Sequence, residues 1–167
     1  SRLLQNLPTD DTIKVVYGKG ERQLKVFADP DCPACRELEK RLAAAGDQVN
    51  ATVAIYPFPL SIHPNAAERT RYLLCTDNPG QAWHDWSMGP NTDQASWATF
   101  AAAHPSKESC APSADAIIQR VRSVAVLFKF AETPTLIFAD GTAMAGSPDL
   151  DTLLRGLSGD FHGVPRK

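Results

Sequence analysis

The chain has 167 residues, of which 43% are hydrophobic and 22% charged, and a formal net charge of −2. That suits one soluble globular domain with its own core, and it excludes a general electrostatic pull toward nucleic acid or acidic lipid. No apolar run approaches the ~20 residues of a membrane span. The opening "SRLLQNLPTDD" lacks the apolar stretch and cleavage site of a signal peptide, so the chain reads as a processed or trimmed form.

"IKVVY", Ile13–Tyr17, is short and β-branched, a strand followed by the turn "GKGE". "LKVFA", Leu24–Ala28, is a second strand, expected to be central. After "DPD", Leu38 and Leu42 lie four apart among charges, which predicts a helix over Pro33–Ala45 with Gly46 as its C-cap. Val49–Tyr56 alternates as a strand does and stops at Pro57 and Pro59. The texture then becomes helical: Pro64–Thr76, Pro79–Met88, Thr92–Ala103 and Pro112–Phe130, with "HPSKESCAP" as a loop before the last. "TLIFA", Thr135–Ala139, is a strand, Asp140-Gly141 a hairpin turn, "TAMAG" the returning strand and Leu150–Leu157 a closing helix. The last ten residues read as a frayed tail. With no linker visible inside, the helical block reads as an insertion rather than a second domain.

The chemistry concentrates at "DPDCPACRELEKRL". Cys32 falls where the strand gives way to the helix, and Cys35 one turn further on. A helix N-terminus offers unpaired N–H groups and a partial positive charge, both of which favour a thiolate. Pro33 suits the first helical turn because its missing N–H costs nothing there. The two sulfurs are therefore expected to differ, Cys32 exposed and ionised, Cys35 buried and protonated. Lowering a thiol pKa from ~8.5 to ~5 raises the thiolate fraction about 30-fold at neutral pH but lowers intrinsic nucleophilicity by a similar factor, so the advantage is a better leaving group and a more oxidising disulfide. Asp29 and Asp31 are expected to oppose the shift by repulsion. Structural packing and metal binding at Cys32 and Cys35 are the competing readings; the strand–helix context favours redox chemistry.

A C-x-x-C at this position predicts an α/β thioredoxin fold: a mixed central sheet flanked by helices, here with an all-helical insertion, about 62–130, between its βαβ and ββα halves. Thr133-Pro134 stands directly before a strand, where that fold has a proline. An X-Pro bond takes the cis form at a cost of only ~0.5–1 kcal/mol, and cis is the expectation here.

"VFADPDCPACRELEKRL", "TVAIYPFPL", "RYLLCTDNPGQAWHDW" and "TPTLIFADGT" together resemble the catalytic domain of the DsbC/DsbG family of bacterial periplasmic disulfide isomerases, from about Ile13 to Leu157. "FADP" is closer to DsbG. The pair Cys75 and Cys110 is closer to DsbC, which has a second, structural disulfide in its insertion. The resemblance implies Cys32 as nucleophile, Cys35 as resolving thiol, Pro33 and Ala34 as the active-site loop, and Thr133-Pro134 as a cis dipeptide lying against substrate. It implies no cofactor and no metal, a periplasmic location, disulfide-containing or oxidised protein substrates, and a DsbD-like membrane reductase as partner. It also implies that residues 1–11 are the end of a linker to an absent N-terminal domain through which a full-length form would dimerise, that 12–160 are the catalytic domain, and that 161–167 are a tail. The function expected is thiol–disulfide isomerase or reductase. Reduction of protein sulfenic acids and a non-catalytic chaperone role are the alternatives.

Other candidates carry plainer expectations. A Cys75–Cys110 bridge would close a loop of about 35 residues, as a staple or, less simply, a second redox centre. A zinc site with His84 and His104 does not fit the usual spacing. Trp83, Trp86, Trp97 and Tyr72 are expected in the core of the insertion, and His63 and His162 on the surface. Asn50-Ala51-Thr52 has the form of a glycosylation acceptor, and Glu132 could adjust the charge near Pro134.

Overall fold

The computed structural model describes residues 1–159. A five-stranded sheet runs in the order β1-β3-β2-β4-β5, formed by β1 (Ile13–Tyr17), β2 (Arg22–Ala28), β3 (Ala51–Pro57), β4 (Thr135–Phe138) and β5 (Ala143–Ala145). β2 is the central strand. It pairs in parallel with β3 and antiparallel with β4, while β1–β3 and β4–β5 are antiparallel. The mixed sheet flanked by helices is the thioredoxin-like arrangement expected.

The parallel β2–β3 pair requires a crossover, and α2 (Pro33–Ala44) supplies it, burying Cys35, Leu38 and Leu42 toward the sheet. α2 does not end on a glycine C-cap as expected. Ala45 caps it, and Gly46 opens a short helix, α3 (Gly46–Val49). The left-handed residue is instead Asn50, φ 43°, a conformation that Asn tolerates better than most. Its side-chain oxygen accepts the N–H groups of Lys19 and Glu21, and its amide donates to Glu21. Asn50 thus fastens the β1–β2 turn, and β3 begins at Ala51 rather than Val49.

Between β3 and β4 lie α4 (Ala66–Leu74), α5 (Pro79–Met88), α6 (Gln94–Ala103) and α7 (Ala111–Leu127), each within two to three residues of its expected limits. A single 3-10 turn, Glu108–Cys110, interrupts the expected loop. α1 (Arg2–Gln5) precedes the sheet, and α8 (Leu150–Leu157) closes the domain. Residues 160–167, with the expected tail and His162, lie outside the described residues. The core has two parts. Leu24, Val26, Leu38, Leu42, Val53, Ile55, Leu136, Leu153 and Trp83 fill one face of the sheet. Phe27, Tyr56, Val121, Ala125 and Ile137 fill the other, with Leu4. Phe27 and Tyr56 stack at 4.6 Å between ring centroids, neighbours across the β2–β3 pair.

Inside the insertion, Trp86 meets Trp97 edge-to-face at 4.9 Å, and Tyr72 meets Trp97 at 5.3 Å. Cys75, at the end of α4, is bonded to Cys110, at the start of α7, across 35 residues. His104 bonds Asp85 and the Phe100 carbonyl, and His84 bonds Glu39. Among the described residues no group of three or more His, Cys, Asp and Glu side chains gathers as a metal site would require.

Closing a 35-residue loop removes unfolded-chain entropy worth about 3–4 kcal/mol. A Cys75→Ala/Cys110→Ala variant is therefore expected to melt about 10 °C lower than the parent in a thermal scan followed by circular dichroism. An unchanged Tm would show that the bridge does not staple the insertion.

Candidate active site

The site is assembled by strand register. Phe27 on β2 faces Thr135 on β4, so carrying the pairing two residues further sets Ala28 and Asp29 beside Pro134 and Thr133. Cys32 and Thr133, 101 residues apart, meet there: the Cys32 sulfur is 3.3 Å from the Thr133 carbonyl oxygen. The Thr133-Pro134 peptide bond is cis.

Cys32 occupies the N-cap position of α2 in an extended conformation, and no side chain caps that end. The sulfur itself faces the free N–H groups of Ala34 and Cys35. Its pKa is pulled down to about 6, first by the hydrogen bond from the Cys35 thiol. Burial works against the shift, and the Thr133 side chain and the two backbone N–H groups add to it. Cys35 moves the other way, well above an ordinary thiol, because burial disfavours its charge and the Cys32 sulfur accepts its proton. The Asp29 N–H donates to the Cys35 sulfur at 3.5 Å. Thr133 Oγ1 is buried without a well-aligned partner, yet lies close enough to both sulfurs to favour their anions.

The expected exposure of Cys32 is corrected. Cys32 is 6% exposed and Cys35 7%, because the Thr133-Pro134 loop covers the sulfur. What separates the two is their hydrogen-bonding and depth rather than accessible surface. Pro33 beside Cys32 is exposed and Ala34 half-buried, so the chain reaches solvent one residue from Cys32.

The two aspartates are not simple repulsive charges either. Asp29, 0% exposed, accepts the N–H groups of Asp31 and Leu60 and the His63 ring nitrogen, at 2.7–2.8 Å. Burial raises its pKa, and these hydrogen bonds oppose the rise. Asp31 is bound by Arg69 at 3.0 Å and by the Trp86 indole N–H at 3.2 Å. His63, expected on the surface, is thus half-buried against the redox turn. Arg36 reaches back to the Pro30 and Gly89 carbonyls and lies 5.0 Å over the Trp86 ring. Glu132 is exposed. Sequence reasoning missed His63, Arg69, Arg36 and Trp86 as site residues. The only signal they offered was their presence in the insertion or on α2, since the contacts span 34 to 55 residues for His63–Asp29, Arg69–Asp31, Trp86–Asp31 and Arg36–Gly89.

Residues 9–157 match the profile of the family described as thioredoxin-like domain. The chain belongs to that family. A probable thiol:disulfide interchange protein DsbC of Bordetella pertussis is 33% identical over 84 residues, covering 50% of this chain and 29% of the relative. Its counterpart from Bordetella parapertussis is 26% identical over 147 residues, 88% of this chain and 46% of the relative. The chain thus spans less than half the length of these curated relatives. Among solved structures, a disulfide interchange protein from Neisseria gonorrhoeae superposes with a TM-score of 0.73 at 26% identity, covering 92% of this chain and 98% of that one.

For this thioredoxin-like site, the split between the two thiols has a direct readout. Thiolate absorbance near 240 nm should titrate with a midpoint at about 6 in the reduced protein and vanish in Cys32→Ser. Cys35→Ala removes the main donor and should raise that midpoint. Because the folded pKa of Cys32 lies below an unfolded value of ~8.5, its contribution to the stability of the reduced protein is complete above ~8.5 and is lost as pH falls through about 6. A midpoint of ordinary thiol value would refute the assignment.

Proposed function

We propose that the protein is a periplasmic thiol–disulfide oxidoreductase that reduces or isomerises disulfides in misfolded proteins. The observation that carries this reading is the Cys32 sulfur at the uncapped N-terminus of α2, held against Thr133 beside the cis-Pro134. The naming of similar proteins as disulfide interchange proteins supports it.

In this reading Cys32 is the nucleophile. Its thiolate attacks one sulfur of a substrate disulfide, forming a mixed disulfide and expelling the other sulfur as a thiolate. In isomerisation a substrate thiolate then attacks the substrate sulfur of the mixed bond, and Cys32 leaves as thiolate. In reduction Cys35 loses its proton to solvent or to the departing thiolate and attacks Cys32. The Cys32–Cys35 disulfide forms, and the substrate leaves two electrons richer. Electrons then return to Cys32 and Cys35 from a dithiol donor, for which a DsbD-like membrane reductase is the proposed partner. Thr133 and Pro134 form the wall against which substrate backbone lies, and Pro33 and Ala34 are the loop it crosses.

Magnitudes show which step benefits. A pKa of about 6 makes Cys32 mostly thiolate at pH 7, about 30-fold above a thiol of pKa ~8.5, while nucleophilicity falls about 10- to 20-fold. Attack gains little, and departure gains most. That favours a catalyst which must be released from its mixed disulfides. The raised pKa of Cys35 keeps resolution slow, which leaves time for a substrate thiolate to act first.

The test uses scrambled ribonuclease and insulin with a glutathione buffer. Wild-type protein should restore ribonuclease activity and precipitate reduced insulin, and Cys32→Ser should lose both. Cys35→Ala should lose insulin reduction but keep much of the isomerisation. Equal activity of parent and Cys32→Ser would end the proposal.

A further inference from the structure

The helical insertion does more than cover one side of the sheet, because it reaches into the turn that carries Cys32. Arg69, on α4, is 2% exposed, and Asp31, the residue before Cys32, is 8% exposed. The guanidinium binds the Asp31 carboxylate at 3.0 Å and the Thr92 carbonyl at 2.7 Å. It also lies 5.3 Å from the Trp86 ring and 5.2 Å from the Trp97 ring. Trp86, on α5, donates its indole N–H to the other Asp31 oxygen. Both carboxylate oxygens are therefore held by the insertion, and the negative charge carried one residue before Cys32 is matched by a buried positive one.

We propose that Arg69 is a positioning residue for the redox centre: by pairing with Asp31 it fixes the turn before Cys32 and cancels the charge that would oppose the Cys32 thiolate, so the insertion sets how oxidising the Cys32–Cys35 couple is. This deepens the oxidoreductase reading and rests on it. The other charged or titratable groups around the turn are Arg36 from α2, Asp29 with His63 on the opposite side, and the Cys35 thiol. Asp29 and His63 bond each other, while Arg36 is hydrogen-bonded to the Pro30 and Gly89 carbonyls and adds a longer-range attraction to Asp31. Arg69 is the partner that makes an ion pair with Asp31. A charge within about 4–6 Å of a titrating group shifts it by about one unit or more.

The test reads signs rather than losses. Arg69→Gln removes the ion pair of Asp31 and leaves Arg36 as the cation that still attracts it, and should raise the Cys32 thiolate midpoint by about one unit. At pH 7 the disulfide then becomes about fivefold less oxidising in a glutathione equilibrium, roughly 20 mV. Asp31→Asn leaves Arg69 unopposed and should lower the midpoint. The double variant Asp31→Asn/Arg69→Gln and the charge-keeping Arg69→Lys should both return close to the parent value. A purely structural role predicts falling Tm in every variant and no opposed shifts. Movement of both single variants in the same direction, or no movement, overturns the proposal. If Arg69→Gln does not fold, Asp31→Asn and Arg69→Lys decide it: a lowered midpoint in the first and a parental one in the second are required. These readouts need no protein client. Opposed shifts in a protein inactive on ribonuclease and insulin would sink the functional reading alone, and activity without the shifts would sink only this one.

Discussion

The antiparallel pairing of β2 with β4 is the constraint on which the site depends. It sets the carboxyl end of one strand beside the amino end of another that arrives more than a hundred residues later. Because Phe27 opposes Thr135, the turn leading to Cys32 and the Thr133-Pro134 dipeptide emerge from the same end of the sheet. A slip of one residue would turn every side chain of β4 to the opposite face. Leu136 and Phe138 would leave one core and Ile137 the other, so the hydrophobic packing on both faces holds the same register that holds the sulfur in place.

Given that placement, the electrostatics of the two thiols follow from local geometry. Cys32 sits at the uncapped start of α2, where the nearby N–H groups of Ala34 and Cys35 favour its anion. The Cys35 thiol adds the strongest single stabilisation of its charge, and the same hydrogen bond keeps Cys35 protonated. Burial opposes an anion at both positions, and only Cys32 has enough donors to overcome it. The difference between the two thiols is thus one of depth and of hydrogen-bond supply, at nearly equal accessible surface.

Three charged side chains and a tryptophan beside the redox turn turn a potential obstacle into a scaffold. Asp29 and Asp31 flank Pro30 and would oppose a neighbouring anion if left alone. Asp29 instead ties the turn to Leu60 and His63, and Asp31 ties it to Arg69 and Trp86. Buried charges are costly unless paired and hydrogen-bonded, and here each carboxylate satisfies several donors at once. The insertion that supplies Arg69 and Trp86 is itself closed by the Cys75–Cys110 bridge and packed around edge-to-face aromatic contacts. The helical block and the turn that presents the sulfur are thus joined through Asp31.

The elements were largely legible in the sequence, because period-2 and period-3.6 patterns and proline boundaries are local. Ile13–Tyr17, Pro79–Met88 and Leu150–Leu157 fall where the pattern puts them. The pairing of Cys32 with Cys35 was legible too, since three residues on a helix are one turn. Gly46 misled because a glycine after a helix need not end it, and the left-handed residue turned out to be Asn50, whose side chain bonds the β1–β2 turn. Only the tertiary structure decided that Cys32 is covered rather than exposed, that His63 belongs to the site, and that Asp31 has a guanidinium partner. Those facts depend on residues brought together across 34 to 101 positions. Charge compensation and burial are properties of what surrounds a side chain in space, and no spacing within a short motif records them.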